Sequence, residues 1–143
     1  MFGQSMQKIP TLIPVVAAAL LDGNGRVLMQ QRRLSKQHGG LWEFPGGKVE
    51  AGETLDMALV RELREELGIT IDAASIEPLA FAARPGEPVV VMLYTCAGWQ
   101  GEPQCLDAEA IGWFTLAELP ALPMPPLDVP LAQALRNVSA SAI

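Results

Sequence analysis

The chain has 143 residues, of which half are hydrophobic and 18% are charged. This length suits one compact domain rather than two, and this composition excludes a disordered chain. Sixteen acidic residues against ten lysines and arginines give a formal net charge of −6. That balance argues against a protein that holds duplex nucleic acid on a broad basic face. A phosphate-binding site in this chain should therefore be local, with a cation as intermediary.

The cysteines and the apolar segments indicate a cytoplasmic protein. Cys96 and Cys105 stand nine positions apart, and the chain has one histidine. This pattern excludes a zinc ribbon and a disulfide framework, and it is typical of reduced cysteines. The longest apolar run, residues 12–21, contains Pro14 and is too short to cross a bilayer. We therefore predict a cytoplasmic location and no membrane partner.

The N-terminal third alternates between strand-like and turn-like segments. Residues 1–10 show no periodicity, which predicts a flexible segment ahead of a single domain over residues 11–143. Residues 15–21 and 26–32 flank a cluster of Gly, Asn and Asp, which predicts a β-hairpin. Gly46 and Gly47 are interpreted as a turn after the short apolar stretch 41–44.

The middle of the chain contains the clearest helical pattern. Apolar residues between Thr54 and Leu67 recur at helical spacing, with Thr54 suited to the N-cap and Gly68 to the C-terminal stop. Strands are predicted over residues 76–84, 89–97 and 111–114, then a helical turn over 116–119. A closing helix is predicted over 128–138, capped by Asp128. This order of elements indicates a mixed α/β sandwich.

Three carboxylates share one face of the central helix. Glu62, Glu65 and Glu66 stand at positions i, i+3 and i+4, close to the partially negative helix C-terminus. Their mutual repulsion calls for a cation, which Arg61 and Arg64 supply in part. Oxygen ligands without nearby cysteine or histidine favour a hard ion, Mg²⁺ first and Mn²⁺ as a substitute. A solvated helix face held by i,i+4 pairs is the alternative interpretation.

The same region carries a motif of fixed spacing. Its nine specified residues are Gly47, Glu53, Arg61, Glu62, Leu63, Glu65, Glu66, Gly68 and Ile69. This pattern resembles the box of the Nudix hydrolase family, and it is far more specific than a lone glycine motif. Residues 40–50, GLWEFPGGKVE, are similar to the MutT-like branch of that family. The resemblance spans roughly residues 13–136 and implies the Nudix fold, a mixed β-sheet sandwiched between helices.

The resemblance also implies an activity and a cofactor. Family members attack a phosphorus atom of a nucleoside diphosphate linked to a further group. The MutT-like branch converts a nucleoside triphosphate and water to a nucleoside monophosphate and pyrophosphate. Carried over to this chain, the metal ligands are Glu62, Glu65 and Glu66, together with the Gly46 carbonyl. Glu66 is the expected central ligand, and Mg²⁺ is the expected ion.

Two further residues of the motif region receive catalytic roles from the resemblance. Glu53 is expected to contribute to binding of a metal-associated water or to proton transfer, and Arg61 is expected to orient Glu53 by a charge-assisted hydrogen bond. Lys48 is expected to contact phosphate or to steer a base. A plain loop lysine is the alternative for Lys48.

The family usually supplies one more carboxylate from a loop late in the sheet. Asp107 lies six residues before Trp113, where MutT-like proteins carry a glutamate. Glu109 is the alternative, two residues further on. Asp107 is favoured both as a metal ligand and as a catalytic group, and the identity of the general base stays open between these carboxylates.

The candidate residues for base recognition are Arg32 and Asp128, with Phe44 as a wall of the pocket. Asp128 stands where 8-oxoguanine-selective relatives have asparagine. An ionised carboxylate accepts hydrogen bonds but donates none. This favours a base edge rich in donors, such as the cytosine amino group or the amino and imino groups of guanine. A simple helix cap is the alternative for Asp128, and a surface position at a strand end is the alternative for Arg32.

The leading functional prediction is a Mg²⁺-dependent nucleoside triphosphate pyrophosphohydrolase that sanitises the nucleotide pool. Its expected substrate is 8-oxo-dGTP or a cytosine or guanine (deoxy)nucleoside triphosphate. One alternative is a hydrolase of ADP-ribose or another nucleoside diphosphate derivative. The other is a non-catalytic nucleotide-binding domain. The expected partner is the small nucleotide alone, bound by a monomer or a homodimer.

Overall fold

A computed structural model describes residues 11–141. Within this range, α1 spans Leu55–Leu67 and α2 spans Asp128–Ser141, and short 3₁₀ helices cover Ala73–Ser75 and Leu116–Ala121. The strands are β1 (Ile13–Leu20), β2 (Arg26–Gln31), β3 (Trp42–Glu43), β4 (Gly46–Lys48), β5 (Thr70–Ile71), β6 (Ile76–Ala83), β7 (Val89–Cys96), β8 (Trp99–Gln100) and β9 (Ala110–Thr115). The segment predicted to be flexible, residues 1–10, lies outside the described residues.

The strands form one mixed sheet and two antiparallel ones. The four-stranded sheet has the order β4-β1-β7-β6, in which β1 and β7 run parallel and the other pairs run antiparallel. A three-stranded sheet has the order β3-β2-β9, and β5 pairs with β8. The predicted mixed α/β class is thereby confirmed.

Strand β1 divides the core into two layers. Val16, Ala18 and Leu20 pack in the cluster that contains the buried face of α1, whereas Ala17 and Ala19 pack in the cluster that contains α2. Successive side chains of a strand point to opposite faces, so an apolar run without alternation is what a strand covered on both sides requires. The sheet therefore lies between the two helices, as the Nudix resemblance implies.

The predicted β1–β2 hairpin is wrong. The two strands belong to different sheets and meet only at an isolated bridge between Leu21 and Val27. Both edges of β1 are already paired, one with β4 and the other with β7, so β2 pairs instead with β3 and β9. The turn itself exists, since the Asp22 carboxylate accepts from the backbone N–H groups of Asn24 and Arg26.

The interpretation of Gly46 and Gly47 as a turn is also wrong, because both lie in β4. Their partners on β1 are Ala17 and Val16 respectively. A Cβ atom on Gly46 would overlap the Val16 carbonyl oxygen, and one on Gly47 would overlap the Glu62 carboxylate. The lack of a side chain at these two positions therefore allows close packing and does not reverse the chain. Gly46 lets the backbone of β4 lie close to β1, and Gly47 lets it lie close to Glu62 of α1.

The helix predicted from Thr54 to Leu67 is confirmed. The Thr54 hydroxyl accepts from the Met57 N–H at its start, and Gly68 ends it in the left-handed conformation at φ 70°. Glycine reaches this conformation without the strain that a Cβ atom would bring. Leu59, Leu63 and Leu67 are fully buried, so the opposite side of α1 carries the acidic residues outward.

The C-terminal half largely follows the prediction. Strands β6, β7 and β9 and the 3₁₀ turn at Leu116–Ala121 are confirmed, whereas the predicted loop after residue 97 contains β8. The closing helix extends to Ser141, with Asp128 as its first residue rather than the residue before it. In residues 11–141, no helix has the length and apolar character needed to cross a membrane.

Candidate active site

Most of the predicted site residues line a single cavity of about 700 Å³. It lies where β1, β2 and β4 meet the C-terminal half of α1 and the start of α2. The predicted residues in its lining are Arg32, Phe44, Gly46, Lys48, Glu62, Glu65, Glu66, Asp107 and Asp128. Glu53 and Glu109 are not among its lining residues.

Arg61 of α1 pairs with several of the acidic residues on and just before this helix. Its guanidinium donates to both oxygens of Glu53, at 2.6 and 2.9 Å, and to the Lys48 carbonyl at 3.0 Å. It also donates to Glu62 at 2.9 Å and to Glu65 at 3.1 Å. The hydrogen bonds from Arg61 hold the pKa of Glu53 at about 2, so this carboxylate stays ionised. The orienting contact predicted between Arg61 and Glu53 is present.

Replacing Arg61 by alanine should destabilise the protein by about 1–2 kcal/mol, because charge-assisted hydrogen bonds to several carboxylates are lost in a partly exposed setting. The measurement is urea denaturation. Arg64→Ala is the matched control, since Arg64 is an exposed arginine of the same helix; it should change stability by less than about 0.5 kcal/mol. Equal effects of the two substitutions would contradict the organising role of Arg61.

Glu66 is the most desolvated carboxylate of α1. Its Oε1 atom accepts from Gln30 Nε2 and from the Gly46 N–H, each at 3.0 Å. Burial, and next to it the charge of Glu62, raise the pKa of Glu66 to about 8 against the hydrogen bonds from Gln30 and Gly46, which lower it. Burial likewise raises the pKa of Glu62. Both carboxylates are therefore desolvated, and a cation bound between them would stabilise their ionised forms.

These donors fit a hard divalent cation. In the described part of the chain, no three acidic, histidine or cysteine side chains converge closely enough to surround an ion by themselves. Mg²⁺ needs less than that, since it is usually held by one or two carboxylates together with substrate phosphates and water. Glu62 and Glu66 supply two such carboxylates on one helix face. Glu65 is more exposed and pairs with Arg61, and its role as a ligand stays a prediction.

The other acidic candidates differ in position. Asp107 lines the cavity and forms an exposed ion pair with Arg33 at 3.4 Å. Glu109 is exposed, and its backbone N–H is bonded to the Gln31 carbonyl. Glu53 stands beside Arg61, outside the lining of the cavity. Of the two late-loop alternatives, only Asp107 therefore lines the cavity.

Arg32 lines the cavity but is not a simple surface residue. Its guanidinium donates to Glu43 at 3.0 Å and to the Gln37 carbonyl at 2.9 Å. Burial raises the pKa of Glu43, and the Arg32 charge opposes that rise. Glu43 also raises the pKa values of Glu66 and Asp128. The Arg32–Glu43 pair therefore couples electrostatically to both the α1 carboxylates and the start of α2.

Asp128 does more than begin a helix. It is 8% exposed, and its Oδ2 atom accepts from the Phe44 backbone N–H at 3.1 Å across 84 positions of sequence. Burial raises its pKa to about 7. The Phe44 side chain is 3% exposed and packs in the α2-side core cluster. The hydrogen bond thus fixes a buried carboxyl group against the wall of the cavity.

Asp128→Asn should make stability less dependent on pH. The pKa rises from 3.8 to about 7 on folding, so the contribution of Asp128 is fully present below about pH 4 and is lost as pH rises through 7. The stability of the variant relative to wild type should therefore increase between about pH 5 and 8, by on the order of 2 kcal/mol. Urea denaturation in metal-free buffer measures it. A difference that stays constant over this range would contradict the assignment.

Sequence reasoning missed several residues of the site. Gln30 and Glu43 line the cavity and interact with Glu66 and Arg32 respectively. Arg33, Lys36 and His38 add basic groups from the loop after β2. A signal was present for Gln30, because it is a polar residue that continues the apolar strand β2. The loop residues carry no such signal, since charged loops are usually only solvated.

Comparison with known proteins identifies the family. The NUDIX domain model matches residues 11–135, and the chain belongs to this family of hydrolases. The chain is 37% identical over 128 residues to "CTP pyrophosphohydrolase" of Escherichia coli (strain K12), covering 88% of this chain and 93% of that protein. It is 29% identical over 126 residues to "8-oxo-dGTP diphosphatase" of the same organism, covering 88% and 98%.

A solved structure shows the same fold. The solution structure of the E. coli ORF135 protein has a TM-score of 0.80 and 35% sequence identity, and the match covers 92% of this chain and 93% of that one. Nudix hydrolases are generally dependent on a divalent metal ion. The chain is therefore a Nudix hydrolase with a mixed β-sheet between helices.

Proposed function

We propose that this chain is a Mg²⁺-dependent nucleoside triphosphate pyrophosphohydrolase, which converts a nucleoside triphosphate and water to a nucleoside monophosphate and pyrophosphate. Residues 11–143 act as one catalytic domain. The observation that carries the proposal is the cavity itself. It joins two desolvated carboxylates of α1, Glu62 and Glu66, to a buried carboxyl group at the start of α2, Asp128.

The residues divide the chemistry between them. Glu62 and Glu66 would hold the ion, with Glu65 and the Gly46 carbonyl as further candidates. When bound, Mg²⁺ supplies neutralisation of phosphate charge and activation of water. Lys48 offers an exposed ammonium group to the phosphates. Glu53, kept ionised by Arg61, lies outside the cavity lining and acts through water.

Asp107 is proposed as the late-loop carboxylate, in preference to Glu109. Asp107 lines the cavity, whereas Glu109 does not. Its ion pair with Arg33 is exposed and therefore weak, so Asp107 is available for a ligand or a proton. Asp107→Asn should accordingly impair turnover more than Glu109→Gln does.

The relatives support the choice of substrate class. One is named for CTP and another for 8-oxo-dGTP, and both are nucleoside triphosphates. Their bases, cytosine and an oxidised guanine, present hydrogen-bond donors that the Asp128 carboxylate accepts when it is ionised, above its pKa of about 7. The proposed role is therefore sanitising of the nucleotide pool, by hydrolysis of 8-oxo-dGTP or of a cytosine or guanine nucleoside triphosphate.

A nucleotide panel tests the proposed function. Purified protein is incubated with Mg²⁺ and with 8-oxo-dGTP, dGTP, CTP, dCTP and ADP-ribose, and kcat/KM is measured for each. We expect a triphosphate to be preferred by at least about tenfold over ADP-ribose. Preference for ADP-ribose would support the nucleoside diphosphate alternative, and binding without turnover would support the non-catalytic one.

Asp128→Asn should redistribute selectivity among bases. One hydrogen bond involving a charged group contributes about 1.5–3 kcal/mol, or roughly ten- to a hundredfold in relative kcat/KM. The measurement is the ratio of kcat/KM values for 8-oxo-dGTP, dGTP, CTP and dCTP in both proteins. Ratios unchanged within about twofold would restrict Asp128 to a structural role and leave Arg32 and Phe44 as the specificity candidates.

Two further predictions accompany the proposal. The protein is expected to act in the cytoplasm on small nucleotides, without duplex nucleic acid or a membrane as partner. Its state, monomer or homodimer, stays a prediction that sedimentation would decide.

A further inference from the structure

Gln30 occupies a position where packing alone calls for an apolar side chain. In β2, Leu28 packs in the α1-side core cluster, and Val27 and Met29 pack in the α2-side cluster. The alternation of a strand places residue 30 on the same face as Leu28, toward α1. Gln30 is 3% exposed. An uncharged but polar group is therefore buried next to the acidic helix.

The Gln30 amide selects one oxygen of Glu66. Gln30 Nε2 and the Gly46 N–H both donate to Glu66 Oε1, each at 3.0 Å. Within residues 11–141, the structure describes no hydrogen bond to Oε2. The carboxylate is thus held by two donors on one oxygen, and Glu66 is a lining residue of the cavity whose second oxygen keeps its full capacity for a ligand.

The oxygen of the Gln30 amide is buried without a compensating hydrogen bond. Gln30 Oε1 is buried and has no hydrogen-bond partner among the described residues. A buried acceptor without a partner lowers stability, and an apolar side chain of similar size avoids that loss. The features of Gln30 that a stable core does not explain are its contacts with acidic groups. Its amide donates to Glu66 Oε1 at 3.0 Å, and a hydrogen bond from its side chain also lowers the pKa of Glu43.

We infer that Gln30 is a positioning residue, which fixes the rotamer of the Glu66 carboxylate so that Oε2 is presented to a divalent cation. The inference deepens the proposed function and rests on it. Groups that orient a metal ligand by hydrogen bonding commonly change metal affinity by 10–100-fold when they are removed. Gln30 is also opposite Glu43 in the β2–β3 pairing, so it lies between Glu66 and the Arg32–Glu43 pair.

The test is the affinity of the nucleotide-free protein for Mn²⁺, measured by electron paramagnetic resonance of the free ion. Gln30→Met keeps the length of the side chain and removes the donor. Gln30→Leu is a second apolar variant, in case the first does not fold. We expect Mn²⁺ binding to weaken by roughly 10–100-fold in the folded variant, with stability in urea equal to or above that of wild type.

Gln31→Met is the matched control. Gln31 is the next residue of the same strand, and its amide donates to the Gly40 carbonyl at 3.0 Å rather than to an acidic group. This variant should bind Mn²⁺ as wild type does. The kinetic counterpart for Gln30→Met is a roughly 10–100-fold higher half-saturating Mg²⁺ concentration, with the KM for nucleotide at saturating Mg²⁺ within about threefold of wild type.

The outcomes separate the inference from the function on which it rests. Wild-type Mn²⁺ affinity in a folded Gln30→Met or Gln30→Leu variant would overturn the positioning role alone. Loss of stability with unchanged Mn²⁺ affinity would also overturn it, since that is what a purely structural residue produces. A wild-type protein that binds no Mn²⁺ and hydrolyses no nucleotide would overturn both.

Discussion

Replacing Glu66 by glutamine should reduce turnover at least about a thousandfold while the protein still folds. The glutamine oxygen can still accept from Gln30 and from the Gly46 N–H, so the local packing is preserved. What is lost is the negative charge that a divalent cation requires. Because burial raises the pKa of Glu66 from 4.5 to about 8, the wild-type protein loses stability as pH rises from about 4.5 through 8, and the stability of Glu66→Gln relative to wild type should increase over that range.

The matched control for this substitution is Glu77→Gln. Glu77 is an exposed residue of β6 that does not line the cavity, so the same chemical change should leave kcat and KM within about twofold of wild type. Turnover is measured with Mg²⁺ at saturating nucleotide, and folding is monitored by circular dichroism. Near-normal turnover of a folded Glu66→Gln protein would remove the metal-site interpretation of α1.

Removal of divalent cations should abolish activity. Excess chelator should lower turnover to background, and added Mg²⁺ should restore it, with Mn²⁺ as a substitute. The carboxylates must be ionised to hold the ion. Since the pKa of Glu66 is raised to about 8 and that of Glu62 is also raised, protons compete with the cation below that range.

This competition fixes the direction of the pH effect. The Mg²⁺ concentration that gives half-maximal activity should fall as the pH is raised from about 6 to about 8.5, and activity at limiting Mg²⁺ should rise over the same range. The measurement is a Mg²⁺ titration of turnover at each pH. Full activity in excess chelator would contradict a metal-dependent mechanism, and a half-saturating Mg²⁺ concentration independent of pH would contradict the role of the buried carboxylates.

The central helix was predictable because its signals are local. The apolar spacing from Leu55 to Leu67, the Thr54 cap and the Gly68 stop all depend on residues within a few positions of one another. The shared face of Glu62 and Glu66 follows from the helical repeat alone. The contact of Arg61 with Glu53 also became predictable once the motif was matched to a family.

Pairings between distant strands were not predictable in the same way. A turn at Asp22 suggests a hairpin, yet the choice of neighbours for β1 depends on β7, more than 60 residues later. The glycines at positions 46 and 47 were interpreted as a turn, because the groups they must approach, the Val16 carbonyl and the Glu62 carboxylate, are far away in sequence. Local propensity cannot report such contacts.

The same distinction applies to the site. Asp128 was a candidate for base recognition, but its hydrogen bond to the Phe44 N–H spans 84 positions, and only the fold brings the two together. Gln30 and Glu43 are not among the nine specified residues of the motif, so neither was predicted as a site residue. Their positions in the cavity lining became visible only through burial and through contacts with Glu66 and Arg32.

The most direct test of the proposed pyrophosphohydrolase activity is the identity of the products formed from a nucleoside triphosphate. Wild-type protein, Mg²⁺ and CTP or 8-oxo-dGTP are incubated, and the products are resolved by ³¹P nuclear magnetic resonance. We expect nucleoside monophosphate and pyrophosphate in equal amounts from the wild-type protein, and their formation at least about a thousandfold more slowly from Glu66→Gln. Release of inorganic phosphate with nucleoside diphosphate, or the same products at the same rate from Glu66→Gln, would contradict it.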